Sequence, residues 1–174
     1  MHVKIKNKLL VLKKNWVYII ISLIIADQIS KILVQQYLSL KSSVVIIPKL
    51  LYFTHITNDG ISFGWNPFSN SMLLFIVSVI ACVFILKVLA DSKDEANLIQ
   101  ISLCLIIGGA FGNLIDRFFT AFNLLGYSGV VDFIDVGYDY YYRFYIFNFA
   151  DSFITVGIIL YILSFMLLKK ADAR

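Results

Sequence analysis

The amino-acid sequence predicts a polytopic α-helical membrane protein, a four-transmembrane-helix bundle with a small extracytoplasmic antiparallel β-sheet and an interfacial loop. Three observations point there. Hydrophobic residues make up 60% of the chain and charged residues only 15%, far from the balance of a water-soluble domain. Four apolar runs, at about 16–37, 71–90, 97–119 and 147–168, each approach the ~20 residues that a helix needs to cross a bilayer. Lysines crowd the two ends, with Lys4, Lys6, Lys8, Lys13 and Lys14 before the first run and Lys169 and Lys170 after the last. By the positive-inside rule both termini then face the cytoplasm, as an even number of spans requires. One membrane-embedded domain, 1–174, accounts for the whole pattern.

The same numbers disfavour other classes. A net charge of +4 invites a nucleic-acid partner, yet the lysines form no stripe with arginines and aromatics that would suit bases or phosphates. Cys82 and Cys104 lie inside apolar runs without CxxC spacing or histidine partners, so neither a disulfide framework nor a zinc site is expected. No metal or organic cofactor is called for. The basic, then apolar, start is interrupted at Asp27 to Lys31, which reads as a retained first helix rather than a cleaved signal peptide.

Along the chain, Trp16 and Tyr18 open the first span as interfacial aromatics do. In its second half Asp27 and Lys31 stand i, i+4 with the acid first. Two readings stay open: a pair that neutralises itself so that the helix can insert, or a support within a polar site. Residues 39–70 hold both prolines and a β-like stretch, Val44–Ile47 then Leu50–Thr57, ending in Asn58-Asp59-Gly60 before Ile61-Ser62-Phe63. Asp-Gly between β-formers signals a hairpin. A short sheet on the outer membrane surface would pair this backbone, since open strand edges do not sit in hydrocarbon.

The second span carries no charge before Lys87, and Asp91 to Ala96 form a short inner link. The third ends in Gly108-Gly109-Ala110-Phe111-Gly112-Asn113-Leu114-Ile115-Asp116-Arg117. Gly108 and Gly112 are a GxxxG step that suits close helix approach, while Asn113, Asp116 and Arg117 share one helical face. Residues 120–146 read as an external loop whose tyrosines, grouped around Arg143, suit a headgroup interface, with Asp135 and Asp139 as solvated carboxylates. The fourth span follows.

Threading these spans places Asp27, Lys31, Asn113, Asp116, Arg117, Asn148 and Asp151 in the outer half of the bundle, near Asn58 and Asp132 of the external segments. Polar residues in spans face a bundle interior or a water-filled cavity, so one outward-opening site is implied. Asp132 and Asp151 have no obvious local cation. Two carboxylates within reach of each other share a proton, one free to activate water and the other to donate to a scissile carbonyl. Two rival readings are a small transporter or proton-coupled channel and a helix-binding assembly protein. The apolar inner halves of all four spans disfavour a conduit.

Five segments carry a resemblance over nearly the whole chain: Asp27-Gln28-Ile29-Ser30-Lys31, Asn58-Asp59-Gly60-Ile61-Ser62-Phe63, Gly108 to Arg117, Val130-Val131-Asp132-Phe133, and Phe147-Asn148-Phe149-Ala150-Asp151-Ser152. In that order they resemble the lipoprotein signal peptidases, or signal peptidase II family. The resemblance implies a bacterial cytoplasmic-membrane aspartic endopeptidase that removes the signal peptide of a prolipoprotein before its diacylglyceryl-modified cysteine. It places the catalytic aspartates at Asp132 and Asp151 and supporting residues at Asp27, Lys31, Asn58, Asn113, Asp116, Arg117 and Asn148. It also implies membrane lipid as surroundings and sensitivity to a globomycin-type cyclic peptide. Within it Asp116 reads as a helix-end residue bound by Arg117, and as the rival to Asp132 for second acid.

Overall fold

The computed structural model describes residues 16–60, 70–92, 95–138 and 142–172, with side chains described to Leu167. The N-terminal lysines, Ile61-Ser62-Phe63, Asp139, Tyr140 and Tyr141 therefore lie outside the described residues, as do the side chains of Lys169 and Lys170. Four helices occupy the apolar runs: α1 (Trp16–Tyr37), α2 (Ser71–Asp91), α3 (Asn97–Ala121) and α4 (Phe149–Asp172). Each is long and apolar enough to cross a membrane. Asn70 starts α2 by accepting the Met72 and Leu73 N–H groups on its side-chain oxygen, 3.0 and 3.2 Å away.

α3 is the central helix, with half of its span-length window buried against 17% in each of the others. Its glycines explain that position. A Cβ on Gly109 would collide with the Ala150 carbonyl of α4, and one on Gly112 would stand 2.6 Å from the Asp27 carboxylate of α1. The GxxxG stretch thus does more than bring two helices together. It clears room for a charged side chain. At the far end of the bundle Leu89, Ile99, Leu103, Cys104 and Ile107 form an apolar core sealed by Trp16, Ile20 and Tyr161.

A four-stranded antiparallel sheet in the order β1-β2-β3-β4 caps the other end. Its strands are β1 (Ser43–Ile47), β2 (Leu51–Asn58), β3 (Val130–Tyr138) and β4 (Tyr142–Arg143). Two expectations are corrected here, while the hairpin partner expected after Asn58-Asp59-Gly60, Ile61-Ser62-Phe63, lies outside the described residues. β2 pairs with β1 and, 72 to 85 residues along the chain, with β3. The Asn58 side chain accepts the Gly60 N–H at 2.9 Å, a local turn that ends the strand. Residues 120–146 are not simply a loop, because Val130-Val131-Asp132-Phe133-Ile134 is a run of β-formers buried on both faces. Lastly, Asp135 is no solvated carboxylate. It is 8% exposed, binds the Arg143 Nε at 2.6 Å and accepts from the Thr54 hydroxyl at 2.9 Å.

β2 carries one residue more than β3 between the pairs Phe53–Ile134 and Ile56–Asp132, a bulge. The extra residue places Asn58, rather than Thr57, opposite Val130. Because register sets which face a side chain takes, this single insertion turns an amide toward Asp132. Beneath the sheet Val34, Val131 and Phe133 are buried together, with Phe53 edge-on to Phe133 at 5.6 Å.

Candidate active site

Asp151 stands in the first turn of α4 because Asn148-Phe149-Ala150-Asp151 is a helix start. The Asn148 side-chain oxygen accepts the Asp151 N–H at 2.9 Å, and the Asp151 carboxylate accepts the Asn148 N–H at 3.3 Å. That is a reciprocal capping box built from Asn and Asp. The free end of the Asn148 amide continues across to the sheet, donating to Asp132 at 2.6 Å. One asparagine therefore touches both candidate aspartates, by its backbone and by its side chain.

Asp132 is 1% exposed and also receives the Asn58 amide at 3.1 Å. Burial, and then the neighbouring Asp151 charge, push its carboxyl up to about 7, against the weaker pull of the Asn58 and Asn148 hydrogen bonds and the Lys31 charge. Asp151 takes a further bond from the Asn113 amide at 2.8 Å. Both aspartates line one cavity of about 420 Å³, together with Asn58, Asn113, Arg117, Val130, Ser152 and the apolar wall Phe144 to Phe147. Arg117 feels the charges of Asp151, Asp116 and Asp132.

Behind the pair lies a second acidic group. The Lys31 ammonium, wholly buried, binds Asp27 at 2.8 Å, Asp116 at 3.1 Å and the Asn113 side-chain oxygen at 2.9 Å. Gln28 spans the same group, donating to Asp116 and to the Gly112 carbonyl, each at 3.0 Å. Asp116 is thus held by Lys31 and is not among the residues lining the cavity, whereas Asp132 is. No buried side-chain polar atom among the described residues lacks a partner. Nor do three His, Cys, Asp or Glu side chains group there as metal ligands.

All nine polar residues singled out from the sequence meet at the sheet end of the bundle, eight of them joined in one network of hydrogen bonds and ion pairs and the ninth, Arg117, lining the same cavity. Sequence reasoning passed over Gln28, although an uncapped glutamine beside Asp27 inside an apolar run was a signal. It also passed over the Arg143–Asp135 pair, which braces the strand leading into the cavity wall. Chemically, the arrangement suits proton exchange between two carboxyls, with amide donors facing the space where a carbonyl would lie.

The family model described as signal peptidase (SPase) II matches residues 19–167. A lipoprotein signal peptidase of Lactobacillus johnsonii is 36% identical over 162 residues, covering 91% of this chain and 97% of that protein. Two solved structures, both described as a bacterial membrane enzyme studied by the in meso method, at 2.3 and 1.9 Å resolution, superpose with TM-scores of 0.72 and 0.69. They are 31% and 30% identical, and cover 92% and 87% of this chain and 92% of each of theirs. With the match running through all four helices and the sheet between them, the chain belongs to the signal peptidase II family.

Proposed function

We propose that the protein is an aspartic endopeptidase that removes signal peptides from prolipoproteins, cutting before the diacylglyceryl-modified cysteine with a water held between Asp132 and Asp151. The observation that carries this reading is Asn148, whose amide and backbone N–H bind the two carboxylates at the mouth of one cavity. The resting pair shares a single proton; burial and the Asp151 charge push the Asp132 carboxyl up to about 7, which suits Asp132 to the role of proton donor in this mechanism. Asp151 takes a proton from water as the oxygen attacks the scissile carbonyl carbon, and Asp132 donates its proton to the carbonyl oxygen. The gem-diol intermediate then collapses: one of its hydroxyl protons returns to Asp132, the C–N bond breaks, and the proton on Asp151 passes to the departing amine. Asn58 and Arg117 face the same space and would orient the peptide.

The substrate is a membrane one on this reading. A signal helix reaches the cavity from the bilayer with its lipid chains still in hydrocarbon, and the apolar wall of Ile154, Val156, Phe144 and Phe147 receives the residues around the cut. The chain would sit in the bacterial cytoplasmic membrane as one peptidase domain, both termini inside and the sheet outside. A globomycin-type cyclic peptide would compete for the same space. The test is a single-turnover assay in detergent with lipid-modified and unmodified precursor. Cleavage of the modified precursor at the bond before its cysteine is expected; an absence of cleavage with folded protein would overturn the proposal.

A further inference from the structure

The buried group behind the aspartates is wired to them more closely than packing demands. Asp27 accepts the Ala150 N–H at 2.9 Å, and Asp116 accepts the Val131 N–H at 3.0 Å. Each of these amides immediately precedes a candidate catalytic residue, Asp151 in one case and Asp132 in the other. Lys31 joins the two carboxylates and uses its remaining donor on Asn113. An ammonium has donors and no acceptor, so only the Asn113 oxygen can face it. That leaves the Asn113 amide nitrogen facing Asp151, where it donates at 2.8 Å.

We propose that Lys31 is a positioning residue for the aspartate pair, acting through Asn113: it fixes which way that amide points and, through Asp27 and Asp116, holds the two segments that bear Asp151 and Asp132 in one register. The proposal rests on the assignment of that pair above. With no ammonium beside it, the Asn113 oxygen is oriented by the Asn148 donor at 3.1 Å; that NH2 also serves Val131 and Asp132, so it holds the amide less firmly and lets it turn its oxygen toward Asp151. An oxygen there repels a carboxylate that the nitrogen had stabilised. The bundle around it need not change, because Gln28, Ala150 and Val131 retain their carboxylate partners.

Removing the ammonium alone strands two buried carboxylates, so the test uses a charge-balanced background. Lys31→Met with Asp116→Asn, and Lys31→Gln with Asp116→Asn, both keep the net charge of the group. The asparagine still offers an acceptor to the Val131 N–H. Glutamine at 31 can donate to the Asn113 oxygen; methionine, of similar size, cannot. Measured with lipid-modified precursor, the methionine variant is expected to lose about 100-fold in kcat and the glutamine variant about 10-fold or less, with KM within about 3-fold for both, as for loss of one donor to a reacting centre. Thermal midpoints in detergent should match between them.

Equal rates in the two folded variants would overturn the proposal, as would rates that simply follow the midpoints. Failure of both to fold would assign Lys31 to stability alone and overturn it too. Asp132→Asn and Asp151→Asn, made with Lys31 intact, separate this outcome from an error in the pair itself. If those variants turn over normally the assignment of the pair fails, whatever the Lys31 variants do.

Discussion

Four aspartates, Asp27, Asp116 and Asp132 buried and Asp151 partly so, gather at one end of the bundle and divide into two kinds. Asp27 and Asp116 share an ammonium at 2.8 and 3.1 Å, while Asp132 and Asp151 are held by the amides of Asn58, Asn113 and Asn148. The first pair is enclosed and the second opens on a cavity. A carboxylate bonded to a buried cation and a backbone N–H is tied to one position, which makes it a good strut. Amides orient a carboxyl without fixing its charge, so the second pair is left free to share and exchange a proton. The largest expected effect therefore falls on the cavity pair. Asp132→Asn and Asp151→Asn should each lower single-turnover cleavage by at least about 10⁴-fold with unchanged folding, and the double variant should be little worse, because residues acting as a unit are non-additive. A double variant far slower than either single one would break the division.

The strut pair should show the reverse pattern. Lys31→Met by itself leaves Asp27 and Asp116 uncompensated in a site with no exposure, and breaking such a group costs about 3–5 kcal/mol of stability. The measurement is the thermal midpoint of detergent-solubilised protein, compared with Asp132→Asn, which should hardly move it or should raise it. If Lys31→Met melted like the parent, the enclosed aspartates would not be struts.

Much of this contrast is visible in the sequence. Asp27 and Lys31 lie one helical turn apart, and Asn113, Asp116 and Arg117 share a face, so local periodicity alone gathers them on the sides of helices that must be buried. The four helices follow from length and hydropathy in the same way. What could not be read is partnership across the fold. Asp116 has Arg117 beside it in sequence, and the buried Lys31 that binds it in space comes from another helix. The bulge that brings Asn58 to Asp132 depends on the pairing of β2 with a strand that begins at Val130, and aromatic residues farther along the same segment suggested an interfacial loop. Asp135 looked solvated for a like reason. Its cation, Arg143, reaches it only once β4 folds back along β3.

Protonation separates the two kinds of aspartate more finely. Asp132 is raised to about 7 by burial and by Asp151, so its proton is present below that pH and lost above it. Activity should accordingly fall as pH rises through about 7, where the proton donor disappears. The linked stability has the same sign: the folded state holds this proton more tightly than the unfolded chain, so the contribution is full at pH below about 4 and is lost as pH climbs through about 7. Asn58 donates to the charged form and pulls the value down, so Asn58→Ala should move the alkaline limb of the pH–rate profile to higher pH. A limb that stays in place would mean that another group controls it.

The smallest effect belongs to a cation–carboxylate pair outside both groups. Arg143 binds Asp135 by its Nε at 2.6 Å and the Asp135 carbonyl by an Nη at 2.7 Å, and lies over the Tyr52 ring at 4.3 Å. Its side chain is 21% exposed, so water already solvates part of the charge and screens the attraction. Arg143→Leu should therefore cost about 1 kcal/mol of stability, against several for Lys31. Its consequence for activity is a separate matter of geometry, because Phe144 donates its N–H to the Val136 carbonyl at 2.8 Å and opens the cavity wall that runs to Phe147. Loosening the strand end should raise KM for the precursor by a few-fold at unchanged kcat, since the wall meets substrate and not the reacting water. An equal fall in kcat would place Arg143 with the aspartate pair rather than with the sheet.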